Sequence, residues 1–270
     1  MSALRVVRRA SLTVGLVLVA TSVFAQAAAT QKPFEPTVGQ QGKDVVWVPT
    51  PQSLVDKMLD IAKLTPQDYL MDLGSGDGRT VITAAKRGAR AKGIEYNPDM
   101  VELSKKNLAA AKIPADRASF EKADLFETDF SQATVITMFL LPQINLKLRP
   151  KILDLKPGTR IVSNTFTMEA WEADQSETVT EGCTSWCTAL LWIVPAKVAG
   201  TWGMPQGALT LTQEFQKLSG TLNSAPIADG KMRGDEISFT TGGTRYTGKV
   251  NGTMIQGTLS TGGQWAATKK

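Results

Sequence analysis

The chain contains no histidine among its 270 residues. Imidazole supplies most general bases near neutral pH and is the commonest metal ligand. Its absence excludes a Ser-His-Asp triad, a papain-like Cys-His pair, a helical zincin motif and a mixed Cys/His zinc site. Cysteine is nearly absent as well. Cys183 and Cys187 cannot form a four-ligand metal centre on their own, so no metal is expected. With three residues between them, they could close a loop as a disulfide or stand as two free thiols. Charged residues make up 20% and apolar residues 42%, which excludes a solvated disordered chain and permits a sizeable core. No apolar run reaches the roughly 20 residues that a membrane-spanning helix requires.

Residues 1–27 have the three parts of a secretory signal peptide. Arg5, Arg8 and Arg9 come first, an apolar run extends from Leu12 to Phe24, and the small-residue pattern Ala25-Gln26-Ala27 closes it. The apolar run is short for an uncleaved anchor, which is the competing reading. Arg8-Arg9 followed by Ala10-Ser11-Leu12 also matches part of a twin-arginine signal. Periplasmic or secreted localisation is therefore expected, with no stable membrane span after cleavage. The formal net charge of +5 includes those three arginines; without them, 27 basic residues face 25 acidic ones. That near-balance argues against a nucleic-acid partner.

Residues 28–43, rich in Gln, Pro and Gly, read as a linker. Folding is expected from Asp44. Thr50-Pro51 is a helix-start signal, with a hydroxyl at the N-cap and proline in the first turn, and Val55, Met58, Leu59 and Ala62 then share one face. Strand and helix patterns alternate from there: Asp68 to Leu73, Asp77 to Arg87, Ala91 to Tyr96, and a helix opened by Asn97-Pro98. Further strands are expected at Ala118 to Ala123, Ala133 to Leu140 and Thr159 to Asn164, with a helix from Ile144 to Leu155 interrupted or restarted at Pro150. Such alternation implies a parallel sheet with helices on both faces over residues 44–197. Residues 200–270 have a different texture. Short alternating runs separated by Gly, Asn and Asp turns predict a small antiparallel all-β domain, a barrel or a sandwich.

The segment Asp72-Leu73-Gly74-Ser75-Gly76-Asp77-Gly78-Arg79 ends the first strand and opens a helix. Its glycines let the backbone approach a bound molecule, and the helix N-terminus presents free N–H groups there. The dinucleotide fingerprint is not met, since Arg79 stands where the third glycine belongs. Glu95, nineteen residues after Gly76, ends the second strand, where a carboxylate can accept both hydroxyls of a ribose. Asp124 ends the third strand and can accept an adenine amino group, with Leu125 beside the ring. Acids on three successive strand ends, without a phosphate-binding lysine, fit S-adenosylmethionine (SAM). Tyr96 is a candidate to stack on it, and Thr50 to contact its amino-acid end. Trp47, Phe139 and Leu140 are candidate walls of an apolar acceptor channel.

Over roughly residues 44–196 the sequence resembles the class I, seven-strand SAM-dependent methyltransferases. Within them it is most similar to protein-lysine methyltransferases of the disruptor-of-telomeric-silencing type and to their relatives that modify the ATP synthase c-subunit. The resemblance rests on Val48-Pro49-Thr50-Pro51, the Asp72 to Arg79 loop, Asp124-Leu125-Phe126, and Leu155 to Ser163. It implies a Rossmann-like seven-strand α/β sheet. It also implies that Asp72 and the loop residues Gly74, Ser75, Gly76, Asp77 and Gly78 hold the methionine part of SAM, Glu95 the ribose, and Asp124 with Leu125 the adenine. The family's Asn-rich segment after the fourth strand is replaced here by Met138-Phe139-Leu140-Leu141-Pro142, so the acceptor side is less well matched. The reaction implied is N-methylation of a protein lysine. Competing readings are a small-molecule methyltransferase, or a non-catalytic nucleoside-binding protein of the cell envelope, because SAM is made in the cytoplasm and an exported enzyme has no evident supply.

Overall fold

A computed structural model of the chain describes residues 34–270 and the first two residues. The expected signal peptide, apart from those two residues, and the first part of the expected linker lie outside the described residues. Residues 34–270 form one compact unit. Its first half is a seven-stranded sheet built from β1 (Tyr69–Leu73), β2 (Arg90–Glu95), β3 (Ala118–Lys122), β4 (Val135–Met138), β5 (Arg160–Asn164), β6 (Gln175–Thr178) and β7 (Thr188–Ile193). The spatial order is β3-β2-β1-β4-β5-β7-β6. The first five strands run parallel and β7 runs antiparallel between β5 and β6.

Alternation along each strand divides the core in two. Leu70, Val135, Val162 and Leu191 face α1 (Gln52–Ile61), α2 (Arg79–Lys86) and α3 (Pro98–Ala110). Met71, Ile136, Ile161 and Leu190 face α4 (Pro142–Leu153) together with Phe130 and Trp171. Two helix details differ from the sequence expectation. The N-cap of α1 is Pro51, without a side-chain cap, because the Thr50 hydroxyl instead accepts a hydrogen bond from Asn164 Nδ2 at 3.3 Å. Helix α4 continues through Pro150. Proline removes one backbone donor, but Ile144, Leu148 and Ile152 are buried on either side of it and hold the helix to the sheet. The opening of α3 is as expected: Asn97 accepts from the Asp99 N–H and Pro98 stands in the first turn.

The second half is a barrel of eight antiparallel strands: β8 (Gly200–Met204), β9 (Gly207–Glu214), β10 (Lys217–Leu222), β12 (Ala228–Arg233), β13 (Glu236–Thr241), β14 (Thr244–Asn251), β15 (Met254–Leu259) and β16 (Gln264–Lys269). A two-residue strand, β11 (Ala225–Pro226), pairs with β10 alone. Pairing of Thr268 with Gly203 and of Lys269 with Trp202 closes the ring, which removes the exposed strand edges that an open sheet would carry. Trp202, Phe239, Tyr246 and Trp265 fill the interior.

The barrel docks where β5 begins and β7 ends, at the edge of the sheet opposite the carboxyl ends of β1 to β5. Phe215 stacks on Trp171 with ring centroids 6.0 Å apart. Gln216 Nε2 donates to the Glu172 carbonyl at 2.8 Å, and the Ala196 N–H donates to the Gly234 carbonyl at 2.8 Å. Lys231 lies 3.6 Å from the buried carboxylate of Asp174. These contacts leave the carboxyl ends of the parallel strands open.

Candidate active site

In an open parallel sheet, the crevice forms where the chain order reverses, at the carboxyl ends of the strands on either side. Here that point lies between β1 and β4. A cleft opens there, and on it the structure brings together Asp72, Gly74, Ser75, Gly76, Asp77, Glu95, Tyr96, Asp124, Leu125, Thr50, Trp47, Phe139 and Leu140. Gly78 is the one sequence candidate that does not line it. It is the left-handed residue before α2, at φ 84°, and a Cβ there would lie 2.5 Å from Phe120 and 2.8 Å from Ser104. Its smallness serves the packing of the loop on β3 and α3.

Asp72, at the tip of β1, is buried and accepts a hydrogen bond from Thr137 Oγ1 on β4 at 2.7 Å. Burial, partly offset by that hydrogen bond and reinforced by the neighbouring charges of Glu95 and Asp77, pushes its carboxyl up to about 7. Glu95 accepts from the Gly76 N–H at 2.9 Å with one oxygen and from the Asn97 N–H at 2.9 Å with the other. It therefore pins the glycine loop against the end of β2, while its two oxygens keep further lone pairs free. Gly76 sits at φ +53°, and a Cβ there would lie 2.6 Å from the indole nitrogen of Trp47. Trp47 thus covers the glycine loop, at the cofactor end of the cleft. Leu140 closes on Gly74, whose added Cβ would lie 3.2 Å from the leucine side chain.

Three features at the site were not anticipated. Residues 40–43, read as linker, belong to a short turn tied by Gly39 N–H to Trp47 O and Trp47 N–H to Gln40 O, both at 2.8 Å, and they line the cleft. Lys43 pairs with the Asp124 carboxylate and lies 4.7 Å from the centroid of the exposed Tyr96 ring. The hydrogen bond from Lys43 holds the Asp124 carboxyl below its ordinary range. Arg79 grips the Asp77 carboxylate, with Nη2 at 2.6 Å, and also donates to the Thr50 carbonyl at 2.9 Å. It ties the glycine loop to the segment before α1, and its odd place in the loop was a visible signal. Asn164 ends β5 as Asp72 ends β1, a strand-end position that the same reasoning could have singled out.

The donor set suits a cationic nucleoside. Five carboxylates, Asp44, Asp72, Asp77, Glu95 and Asp124, line one cleft, and the buried Ser75 hydroxyl has no hydrogen-bond partner among the described residues. Phosphate-binding geometry is missing: the glycine loop carries no lysine. A sheet of this order, with acids at the tips of three adjacent strands, defines a class I SAM-dependent methyltransferase.

Comparison with known proteins agrees. The profile of the ANTKMT methyltransferase domain matches residues 72–175. A protein-lysine N-methyltransferase of Saccharolobus islandicus is 43% identical over 141 residues, 51% of this chain and 87% of that protein. The mouse lysine N-methyltransferase of the ATP synthase c-subunit is 38% identical over 108 residues, 40% of this chain and 43% of that protein, so the match spans under half of that relative's length. The crystal structure of an RNA methyltransferase from Salinibacter ruber, in complex with S-adenosyl-L-homocysteine, aligns with a TM-score of 0.52 at 46% identity, over 56% of this chain and 96% of that one. The chain belongs to this family of SAM-dependent methyltransferases, and SAM is its cofactor.

Proposed function

We propose that the protein N-methylates a lysine side chain of a protein substrate by in-line transfer from SAM. The observation that carries this reading is the apolar end of the cleft. Beside Gly74 the lining includes Leu140, Phe139, Leu141, Ile144, Phe166 and Trp186, none of them an acid or a base. Loss of hydration in such a channel disfavours the ammonium, so the lysine gives its proton to water at the cleft mouth and enters as the nucleophilic amine. In-line displacement then needs position and exclusion of water more than a proton relay, in keeping with a chain that lacks histidine. SAM supplies a methyl group activated by a positively charged sulfur. In this reading Asp72 receives the amino group of its methionine part, Glu95 the ribose hydroxyls, and Asp124 with Leu125 the adenine, after Lys43 gives way.

The protein-lysine N-methyltransferase of S. islandicus supports lysine as acceptor, whereas the RNA methyltransferase of S. ruber favours RNA. Radiolabelled SAM incubated with a whole-cell extract separates the two. Label is expected in the protein fraction, as methyllysine after acid hydrolysis. Label confined to RNA, or to small molecules, would contradict the lysine reading. Export is part of the proposal, supported by the Cys183–Cys187 bond, since such bonds persist outside the cytoplasm. A full-length fusion to a phosphatase that is active only after export is expected to be active; a silent fusion beside a fluorescent cytoplasmic one would place the enzyme inside the cell.

A further inference from the structure

We propose that Phe139, Phe166 and Trp186 form an aromatic wall that holds the methylated ammonium product, and that the Cys183–Cys187 disulfide holds Trp186 in that wall. This rests on the lysine reading above and gives three of its channel residues a specific role. The wall starts at the cofactor end. Leu140 closes on Gly74, and the adjacent Phe139 stacks on Phe166, with centroids 5.7 Å apart and planes 20° apart. Phe139 also meets Trp186 at 6.0 Å and 58°. All three rings line the cleft.

Phe166 is fixed from behind, because its carbonyl accepts from Ser163 Oγ at 2.8 Å and Asn145 Nδ2 at 3.2 Å. Trp186 is held differently. It stands in the loop between β6 and β7 with φ +53°, a backbone region that a bulky side chain occupies at a cost. Trp186 stays 45% exposed. Neither feature serves packing, and both place an aromatic face at the mouth of the cleft. The loop is closed by the Cys183–Cys187 bond across four positions and anchored where Ser53 of α1 donates to the Gly182 carbonyl at 3.2 Å. The bond spans the residue itself, whereas the other anchors, Gly182 on Ser53 and the Val179 N–H on the Cys187 carbonyl at 2.9 Å, lie at the ends of the loop.

Aromatic faces attract ammonium and methylated ammonium groups through the ring quadrupole, and a neutral group of the same shape lacks that attraction. The wall should therefore bind a trimethyllysine more tightly than its uncharged tert-butyl isostere. A dithiol opens the bond by adding two electrons and two protons, and is itself closed to a cyclic disulfide.

The test follows the Trp186 indole N–H by nuclear magnetic resonance in the full mature chain saturated with S-adenosylhomocysteine; the signal is assigned by its loss in Trp186→Phe. N-acetyl-trimethyllysine amide and its tert-butyl isostere are the probes. The indole signal is expected to shift with the cation, at least about threefold more tightly than with the isostere. The response should be lost after treatment with dithiothreitol and lost in Cys183→Ser/Cys187→Ser with or without it. The affinity for S-adenosylhomocysteine should stay unchanged throughout. An unmoved indole, an equal response to both probes, or a full response in the double variant would overturn the proposal. Label found only in RNA would overturn the lysine reading while leaving this response intact, so the two failures are distinguishable.

Discussion

Replacing Asp72 with asparagine is expected to weaken SAM binding by about 100-fold, the worth of a charge-assisted hydrogen bond in a buried site, while stabilising the ligand-free protein at pH 8. Both effects come from one cause. The folded chain raises this carboxyl from 3.8 to about 7. Between those values the folded protein keeps a proton that the unfolded chain has lost, so stability is fully retained below about pH 4 and declines as pH rises towards 7. Above 7 the buried carboxylate costs about 4 kcal/mol as an upper bound, at 1.4 kcal/mol per pH unit. Asparagine has no such cost, and its oxygen can keep the hydrogen bond that Thr137 donates at 2.7 Å. SAM binding by the wild type should tighten as pH rises to about 7 and level off, because the cofactor's amino group requires the ionised form. Calorimetry from pH 5.5 to 8.5 and thermal unfolding of both proteins check this. Equal affinities in the two proteins, or a ligand-free variant less stable than wild type at pH 8, would contradict it.

Replacing Glu95 with glutamine should cost about 30-fold in SAM affinity, from the weakened acceptor for two hydroxyls. Gly76 and Asn97 each donate a backbone N–H to a separate oxygen of this carboxylate. Glutamine has one oxygen and turns its amide hydrogens towards the other donor, so the glycine loop loosens as well. The ribose contribution can be isolated with adenosine and 2′,3′-dideoxyadenosine. The wild type should prefer adenosine, and the variant should bind the two nearly alike. A preference that survives the substitution would mean that Glu95 only braces the loop.

The three acids were legible because strand ends can be read from short apolar runs, and Asp72, Glu95 and Asp124 each follow one. The parallel sheet followed from strand and helix alternation, and its seven strands from the methyltransferase resemblance. Long-range pairing was not legible. Residues 40–43 have the composition of a tether, and only the approach of Lys43 to Asp124 and of Trp47 to Gly76 makes them part of the site. The choice between barrel and sandwich depended on β16 finding β8, some sixty residues away in sequence. Thr50 carries the signature of a helix cap, but Asn164 on β5 competes for its hydroxyl, and no local pattern shows that competitor. Trp186 and Phe166 join the cleft through loops after β5 and β6, whose course is set by tertiary contacts.

A crystal structure with bound S-adenosylhomocysteine tests the site most directly. The ribose hydroxyls are expected on Glu95, the adenine amino group on Asp124 with Lys43 displaced, and the amino-acid end beside Asp72 and Gly74. Ligand density outside this cleft, or a ligand within it that none of the three carboxylates touches, would contradict this placement.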